Sequence, residues 1–358
     1  MTHSLQALLG IDIPLIQAPM AGVQGSALAL AVSNAGALGS LPAAMLTPEA
    51  LRSEMQALRA GTERPFNVNF FCHTPPGPDD AREAAWRAAV APFYAEAGLD
   101  INAVPTGAGR VPFSAQAADL LEAFRPAVVS FHFGLPAPAL VQRVKASGAR
   151  VLSSATTVEE ALWLEAHGAD AIIAQGLEAG GHRGMFLTDD LTTQMGTFAL
   201  LPQIVRAMNV PVIAAGGIAD AAGVAAAMAL GAAGVQVGTA YLCADEATTT
   251  ALHRAALQSE AARHTTLTNV FTGRPARGIV NRVMREMGGS GKTHFATGLS
   301  RAAPAFPLAT NAMAPLRAAA EKAGRTDFSP LWSGQNATAC LSAPAADITR
   351  ALAAGFKD

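Results

Sequence analysis

Short hydrophobic runs alternate with alanine-rich stretches along most of the chain. Eight of these runs predict β-strands: residues 14–18, 37–41, 66–71, 127–131, 150–154, 171–175, 211–215 and 234–237. Several runs are continuously apolar, which is typical of parallel strands buried on both faces. The alternation of strands and helices indicates an α/β fold. We expect a (β/α)8 TIM barrel with a smaller helical capping domain, and a doubly wound open sheet is the alternative that strand counting leaves open.

The helical stretches carry recognisable start and stop signals. Residues 157–167 and 220–230 are two predicted helices. Thr157 favours an N-cap, and Glu160, three residues later, is the expected partner in a capping box. Gly168 is a natural helix end.

Two segments are longer than the connections that a minimal (β/α)8 barrel needs. Residues 72–125 hold a proline-rich turn and a predicted helix near 80–98, and we interpret them as an extended loop or helical insertion. Residues 241–308 are more polar and predict a helical cap or substrate domain. We therefore expect the barrel at residues 1–240, with a C-terminal segment, 309–358, that returns to it.

Composition narrows the possible partners. The 358 residues include 25 basic and 27 acidic ones, for a net charge of −2, which argues against nucleic-acid binding. There is no basic, apolar leader pattern and no uninterrupted apolar run of about 18 residues, so we expect a cytoplasmic protein without a membrane partner. The three cysteines are far apart and form no CxxC, so neither a disulfide framework nor a metal site is expected. Nothing in the sequence indicates an oligomeric state.

The ends of the first and third predicted strands suggest contacts with a flat ligand. Active sites of such barrels lie at the C-terminal ends of the strands. Ala18, Pro19 and Met20 follow the first strand and allow a ligand to approach the backbone. An ordinary turn from strand to loop is the alternative interpretation of these residues. Asn67 and Asn69 share one face of the third strand. A heteroaromatic ligand edge or a neighbouring backbone group would satisfy these amides.

The loop after the sixth predicted strand is the richest in chemistry. It reads QGLEAGGHRG at residues 175–184, with four glycines around one histidine. Glycines let a ligand approach closely, and histidine is the one side chain of this loop whose ordinary pKa lies near neutral pH. We expect His182 to act as a general base or to bind an anion, with a solvated turn as the alternative. Glu178 either orients His182 or makes a local loop contact, and His132, after the fourth strand, is the second candidate histidine.

Glycines also follow the seventh and eighth predicted strands. Gly216 and Gly217 follow one, and Gly238 and Thr239 follow the other. Many barrels bind a phosphate between these two loops, although tight turns and helix caps also use glycine. The first strand is not followed by GxGxxG, so a dinucleotide site is not indicated. A compact mononucleotide fits better, and flavin mononucleotide (FMN) is the predicted cofactor.

Six segments together resemble the nitronate monooxygenase family, most closely its bacterial class I. They are PLIQAPMAGV, FNVNFF, SFHFG, QGLEAGGHRG, AAGGIAD and QVGTAYL. The resemblance spans residues 14–241, and WSGQ at 332–335 is similar to the family's ending. It implies a detoxifying flavoprotein that uses FMN and O2 to oxidise alkyl nitronates, such as propionate 3-nitronate, to a carbonyl compound and nitrite.

The resemblance and the positions at strand ends assign roles to individual residues. His182 is the expected catalytic residue, and it would bind substrate together with His132 and Phe306. Phe306 stands where the family's capping region leads us to expect an aromatic hydroxyl. The residues expected to bind FMN are Ala18, Pro19, Met20, Asn69, Gln175, Gly180, Gly181, Gly216, Gly217, Gln236, Val237, Gly238 and Thr239.

Three other functions share parts of this pattern. A flavin-dependent enoyl-acyl-carrier-protein reductase shares the barrel and a Gly-Gly-His motif. An NADH:quinone reductase of the same superfamily would read QGG rather than QAP, and CAGH rather than AGGH. Both alternatives predict that NAD(P)H reduces the flavin. A non-catalytic flavin-binding protein would keep the glycines and show no turnover.

Overall fold

A nearly closed barrel of parallel strands forms the centre of the molecule. The computed structural model describes residues 4–105, 109–288, 299–338 and 340–356. The strands of this part of the chain are β1 (Leu15–Gln17), β2 (Gly39–Pro42), β3 (Phe66–Phe71), β4 (Val128–His132), β5 (Arg150–Ala155), β6 (Ala171–Gln175), β7 (Gly181–His182), β8 (Val212–Ala215), β9 (Gly234–Val237), β10 (Thr265–Thr268) and β11 (Ala276–Ile279).

Eight of these strands pair in the order β1-β9-β8-β6-β5-β4-β3-β2. Two backbone hydrogen bonds join the ends of this sheet, from Leu38 N–H to Leu15 O and from Gln17 N–H to Leu38 O, both 2.9 Å long. The joined ends confirm the (β/α)8 TIM barrel and exclude the open sheet. Each of the eight predicted strands is present, three with the predicted bounds and five with bounds shifted by one or two residues.

Helices connect the strands and form the outer layer. They are α1 (Leu5–Leu9), α2 (Ser26–Asn34), α3 (Pro48–Gly61), α4 (Asp80–Glu96), α5 (Ala115–Phe124), α6 (Pro138–Ala146), α7 (Val158–Ala166), α8 (Thr197–Ala207), α9 (Ala221–Ala229), α10 (Ala251–Leu257), α11 (Arg282–Met287), α12 (Ala309–Lys322) and α13 (Ala345–Ala353). None of these described helices combines the length and the apolarity needed to cross a membrane.

The predicted signals of α7 are largely confirmed. Thr157 Oγ1 accepts the Glu160 N–H at 3.2 Å, as an N-cap should. The Glu160 carboxylate accepts the N–H and hydroxyl of Thr156, both at 2.7 Å, rather than the Thr157 N–H of a standard capping box. Gly168 follows the helix with φ +100°, a conformation that favours glycine.

The segment expected to be a helical cap also contains strands. β10 and β11 form an antiparallel ribbon, and β7 adds to it through the pairs Ala276–His182 and Arg277–Gly181. The sequence TTLT of β10 is rich in β-branched residues, which favour strands. The pairing with β7 connects residues about ninety positions apart, so the local sequence contains no sign of it.

The core of the cap draws on three separate segments. One buried cluster joins Trp86 of α4, Val283 of α11 and Leu316 of α12. The first part of residues 309–358 therefore packs in the cap, whereas α13 packs against α2 and α9 of the barrel. Residues 72–125 divide in the same way, because α4 belongs to the cap and α5 packs beside α3 and α6 as a barrel helix.

Candidate active site

A cleft opens at the C-terminal ends of the barrel strands, below the cap. It encloses about 1380 Å³ of empty space, including its open mouth. Most of the residues predicted to bind ligands line it: Ala18, Pro19, Met20, Asn69, His132, Gln175, Gly180, Gly181, His182, Gly216, Gly217, Gln236, Gly238 and Thr239. The structure thus brings together residues from the ends of six barrel strands, β1, β3, β4, β6, β8 and β9.

Two predicted residues lie outside this lining. Successive side chains of a strand point to opposite faces, so the Val237 side chain points outward into the apolar layer between strands and helices. The Val237 carbonyl accepts the Ala18 N–H at 2.8 Å. Phe306 is buried behind the cleft, with its ring centroid 5.4 Å from that of His182. Phe306 therefore packs against the candidate catalytic residue.

The loop that carries His182 is held rigidly. Gln175 Nε2 donates to His182 O at 3.0 Å, and Gln175 Oε1 accepts the Gly184 N–H at 2.7 Å. The fully buried Arg183 donates to the carbonyls of Gln175 and Gly176, at 2.8 and 2.7 Å. These bonds close the loop on itself and fix the position of the histidine.

Glu178 does not orient His182. Its carboxylate accepts the N–H of Thr197 at 2.8 Å and the Thr197 hydroxyl at 2.9 Å, at the start of α8. The local alternative is therefore correct, and the negative charge lies where the N-terminal end of a helix favours it.

The environment of His182 keeps its imidazole neutral. Nε2 lies 3.0 Å from Thr272 Oγ1, and aromatic rings surround the side chain. Burial lowers the pKa of His182 well below its ordinary value, and the nearby charges of Arg110 and Arg274 lower this pKa further. A neutral imidazole offers one N–H donor and one lone pair.

His132 supports the histidine loop. Its Nδ1 lies 3.0 Å from Ser154 Oγ, and its Nε2 lies 3.2 Å from His182 O. Burial lowers the pKa of His132 to about 3. Both ring nitrogens have partners, so the predicted contact of His132 with substrate would be made through its carbon edge.

The barrel side of the cleft offers amides and bare backbone. Gln236 Oε1 is buried without a hydrogen-bond partner among the described residues, so it is free to accept a hydrogen bond from a ligand or an ordered water in the cleft. Asn69 donates to Ser130 O and Oγ, at 3.2 and 3.0 Å, while Asn67 lies one layer deeper, outside the lining. These amides could hold the edge of a heteroaromatic ring.

Glycines let the loops around the cleft approach one another closely. A Cβ at Gly180 would lie 2.5 Å from Gly334 N, and one at Gly238 would lie 3.3 Å from Ala18 Cβ. Thr239 begins a short 3-10 helix whose cap residue, Gly238, makes no side-chain capping bond. The first N–H groups of a helix have no intrahelical acceptor and favour an anion such as phosphate.

The cap contributes cationic residues that the sequence pattern did not reveal. Arg110 lines the cleft, and its guanidinium has no carboxylate partner in the described part of the chain. Its Cζ lies 5.5 Å from the centroid of Phe306. Arg274 Cζ lies 4.0 Å from the Phe133 centroid, and burial lowers its pKa to about 10. The cleft is therefore electropositive beside His182.

The sequence did not predict a role for Thr272, because the loop around it carries no motif. Folding of the chain brings Thr272 to His182. Trp332 lines the cleft too, and the resemblance of WSGQ to the family's ending had marked it. Within the described ranges, no group of three or more His, Cys, Asp or Glu side chains could hold a metal ion.

Fold and site together define a TIM-barrel enzyme with its ligand cleft at the C-terminal mouth. The chain belongs to the nitronate monooxygenase family, whose sequence model, described as Nitronate monooxygenase, matches residues 2–355. It is thus an oxidoreductase. A nitronate monooxygenase of Paraburkholderia phytofirmans is 42% identical, covering 98% of this chain and 94% of the relative. A nitronate monooxygenase of Pseudomonas aeruginosa is also 42% identical, with 98% of each chain covered.

Solved structures agree with this assignment. The nitroalkane oxidase of Streptomyces ansochromogenes has a TM-score of 0.86 and 37% identity, covering 98% of this chain and 97% of its own. FabK of Thermotoga maritima has a TM-score of 0.71 and 27% identity, covering 98% and 95%. Both cover the barrel and the cap.

Proposed function

We propose that this protein binds FMN and uses O2 to oxidise alkyl nitronates, such as propionate 3-nitronate, to a carbonyl compound and nitrite. The observation that carries the proposal is the electropositive cleft around His182, bordered by glycines and by an unsatisfied amide. An anionic substrate is attracted by the nearby charges of Arg110 and Arg274. The family, and a structural neighbour described as a nitroalkane oxidase, support the same substrate class.

The barrel side of the cleft fits FMN. Gln236 Oε1 lacks a partner and would accept a hydrogen bond from the ring edge, close to Asn69 and Gln175. The backbone around Gly217 and Thr239 would hold the phosphate. When bound, FMN supplies the electron transfer that connects a nitronate, already carbanion-like, to O2.

The cap side holds the substrate. Arg110 provides a charge without a carboxylate partner, which suits the carboxylate of propionate 3-nitronate. The rings of Phe71, Phe133 and Trp332 around His182 exclude water from the reacting end. In such a dry site, the charge of Arg110 acts more strongly on the bound anion than it would in water.

Two measurements on the purified protein test the proposal. The released cofactor is identified by absorbance and mass, and FMN is expected. Nitrite and oxygen uptake are then followed with propionate 3-nitronate. Nitrite release coupled to oxygen uptake supports the proposal, whereas a protein that binds FMN and releases no nitrite contradicts it.

A further inference from the structure

Thr272 is the hydrogen-bond partner of the candidate catalytic histidine. It lies in the turn between β10 and β11 and is only 3% exposed. Its Oγ1 is 3.0 Å from His182 Nε2, accepts the Arg274 N–H at 3.4 Å, and lies 3.4 Å from Arg274 O. A hydroxyl has one proton, so only one of its neighbours can accept from it.

The local network favours one direction for this proton. If the Thr272 hydroxyl donates its proton to Arg274 O, it can only accept a hydrogen bond from His182 Nε2. In that arrangement the Thr272 hydroxyl, the Arg274 carbonyl and His182 Nε2 all have partners. The reverse direction leaves Arg274 O with no other donor among the described residues. The Arg274 carbonyl is part-buried, where a protein partner is favoured, so we infer that Nε2 carries the proton.

The other ring nitrogen is then the reactive one. His182 lines the cleft, and its Nδ1 has no hydrogen-bond partner in the described part of the chain. Because the ring is neutral and Nε2 holds the proton, Nδ1 presents a lone pair. In a histidine, the hydrogen bond at one nitrogen sets the chemistry of the other.

We propose that Thr272 is a positioning residue that fixes the Nε2–H tautomer of His182 and presents Nδ1 as the acceptor of the α-proton of neutral nitroalkanes. In this step the α C–H bond breaks, the proton moves to Nδ1, and the electron pair delocalises onto the nitro group. The product is a nitronate beside an imidazolium N–H. The proposal rests on the proposed function, because the nitronate formed in this way enters the same oxidation.

The tautomer can be observed directly. The protein as purified is labelled with 15N-histidine, and the His182 signals are assigned by their loss in His182→Gln. We expect a protonated Nε2 and an unprotonated Nδ1, a preference that Thr272→Val removes and Thr272→Ser keeps. Thr310→Val is the matched control, because the Thr310 hydroxyl donates to Phe271 O, at 3.1 Å, and not to histidine.

Two spectra would overturn the assignment. One is a wild-type His182 with its proton on Nδ1. The other is a Thr272→Val spectrum identical to that of the wild type. Because the measurement needs no turnover, it decides the role of Thr272 even if the enzyme acts on a different substrate.

Kinetics with nitroethane and ethyl nitronate then test the consequence. Thr272→Val should lower kcat on nitroethane about tenfold or more, and on ethyl nitronate by less than about threefold, because only the neutral substrate needs a base. Thr272→Ser should restore the nitroethane rate. Equal losses on both substrates would mean a merely structural role.

The wild-type enzyme separates this inference from the proposed function. Turnover of ethyl nitronate without turnover of nitroethane contradicts the proton-acceptor role and leaves nitronate oxidation standing. Turnover of neither compound nor of propionate 3-nitronate contradicts the proposed function itself.

Discussion

The two sides of the cleft are built differently. The barrel side consists of glycines, neutral amides and strand-end backbone, such as Gly217, Gln236 and Thr239. The cap side consists of charged and aromatic side chains, such as Arg110 and Trp332, from segments far apart in sequence, with the Thr272 hydroxyl buried behind His182. A neutral, backbone-lined surface suits a cofactor, whereas charges and rings discriminate substrates. We infer that the barrel side of the cleft binds the cofactor and that the cap side selects the substrate.

The comparisons fit this division. The nitroalkane oxidase of Streptomyces ansochromogenes and FabK of Thermotoga maritima share the fold over 98% of this chain. Their names differ, so the shared fold does not by itself fix the reaction. Cofactor binding and substrate turnover should therefore be separable by mutation.

Gly180→Val should have the largest effect, and it should act on the barrel side. Its Cβ would lie 2.5 Å from Gly334 N and 2.6 Å from Ser333 C, backbone atoms that cannot rotate away. We expect about 100-fold weaker FMN binding, near the upper end of the ~1–3 kcal/mol cost of overpacking. Fluorescence titration of the apoprotein measures this affinity.

Gly77→Ala is the control for that variant, because nothing lies within 4 Å of a Cβ at Gly77. It should bind FMN as the wild type does. Unchanged affinity in a folded Gly180→Val protein would show that the 175–184 loop is not part of the cofactor site.

His182→Gln should impair turnover without impairing cofactor binding. We expect nitroethane turnover to fall about 100-fold, the contribution typical of a general base, while FMN affinity stays unchanged. Steady-state oxygen uptake measures the loss. His167→Gln, at the exposed C-terminal end of α7, should leave both properties intact. Full activity of His182→Gln on nitroethane would remove this residue from the mechanism.

Arg110→Met should alter substrate choice with a smaller effect. A hydrogen bond to a charged group contributes about 1.5–3 kcal/mol, so KM for propionate 3-nitronate should rise at least about tenfold. Ethyl nitronate, which has no carboxylate, should change by less than about threefold. Equal increases for the two substrates would mean that Arg110 does not bind the carboxylate.

The two sides also differ in how far the sequence predicts them. The barrel residues follow directly after strands that periodicity identifies, so Gly217, Gln236 and Thr239 were found from local patterns. Val237 is also predicted to bind FMN, but strand alternation turns its side chain away from the cleft, so only its backbone faces the neighbouring loop.

The cap residues could not be found in this way. Thr272 reaches His182 because β11, which follows its turn, pairs with β7, a two-residue strand too short to show a period. Arg110 lies in a loop of the insertion, more than seventy residues before His182. No local rule connects positions that meet only after the cap has folded.

A separate expected effect on the cap side concerns stability in acid. Burial lowers the pKa of His253 to about 4, and its Nε2 lies 3.1 Å from Trp332 O at the cap side of the cleft. In the unfolded chain, His253 becomes protonated below about pH 6.5, whereas in the folded chain it stays neutral down to about pH 4. The free energy of unfolding therefore falls as the pH decreases from about 6.5 to about 4. This histidine contributes up to about 1.4 kcal/mol per pH unit.

Urea unfolding at several pH values tests this dependence. His253→Gln should reduce the slope of the unfolding free energy between pH 6.5 and 5. An unchanged slope would mean that His253 becomes protonated within the folded cap.

The most direct test of nitronate oxidation is anaerobic mixing of the purified flavoprotein with propionate 3-nitronate and, separately, with NADH or NADPH. We expect the nitronate to change the absorbance of the oxidised flavin, and nitrite to appear when O2 is admitted. A flavin that responds only to the nicotinamide, with no nitrite, would contradict it and would indicate a nicotinamide-dependent reductase on the same barrel.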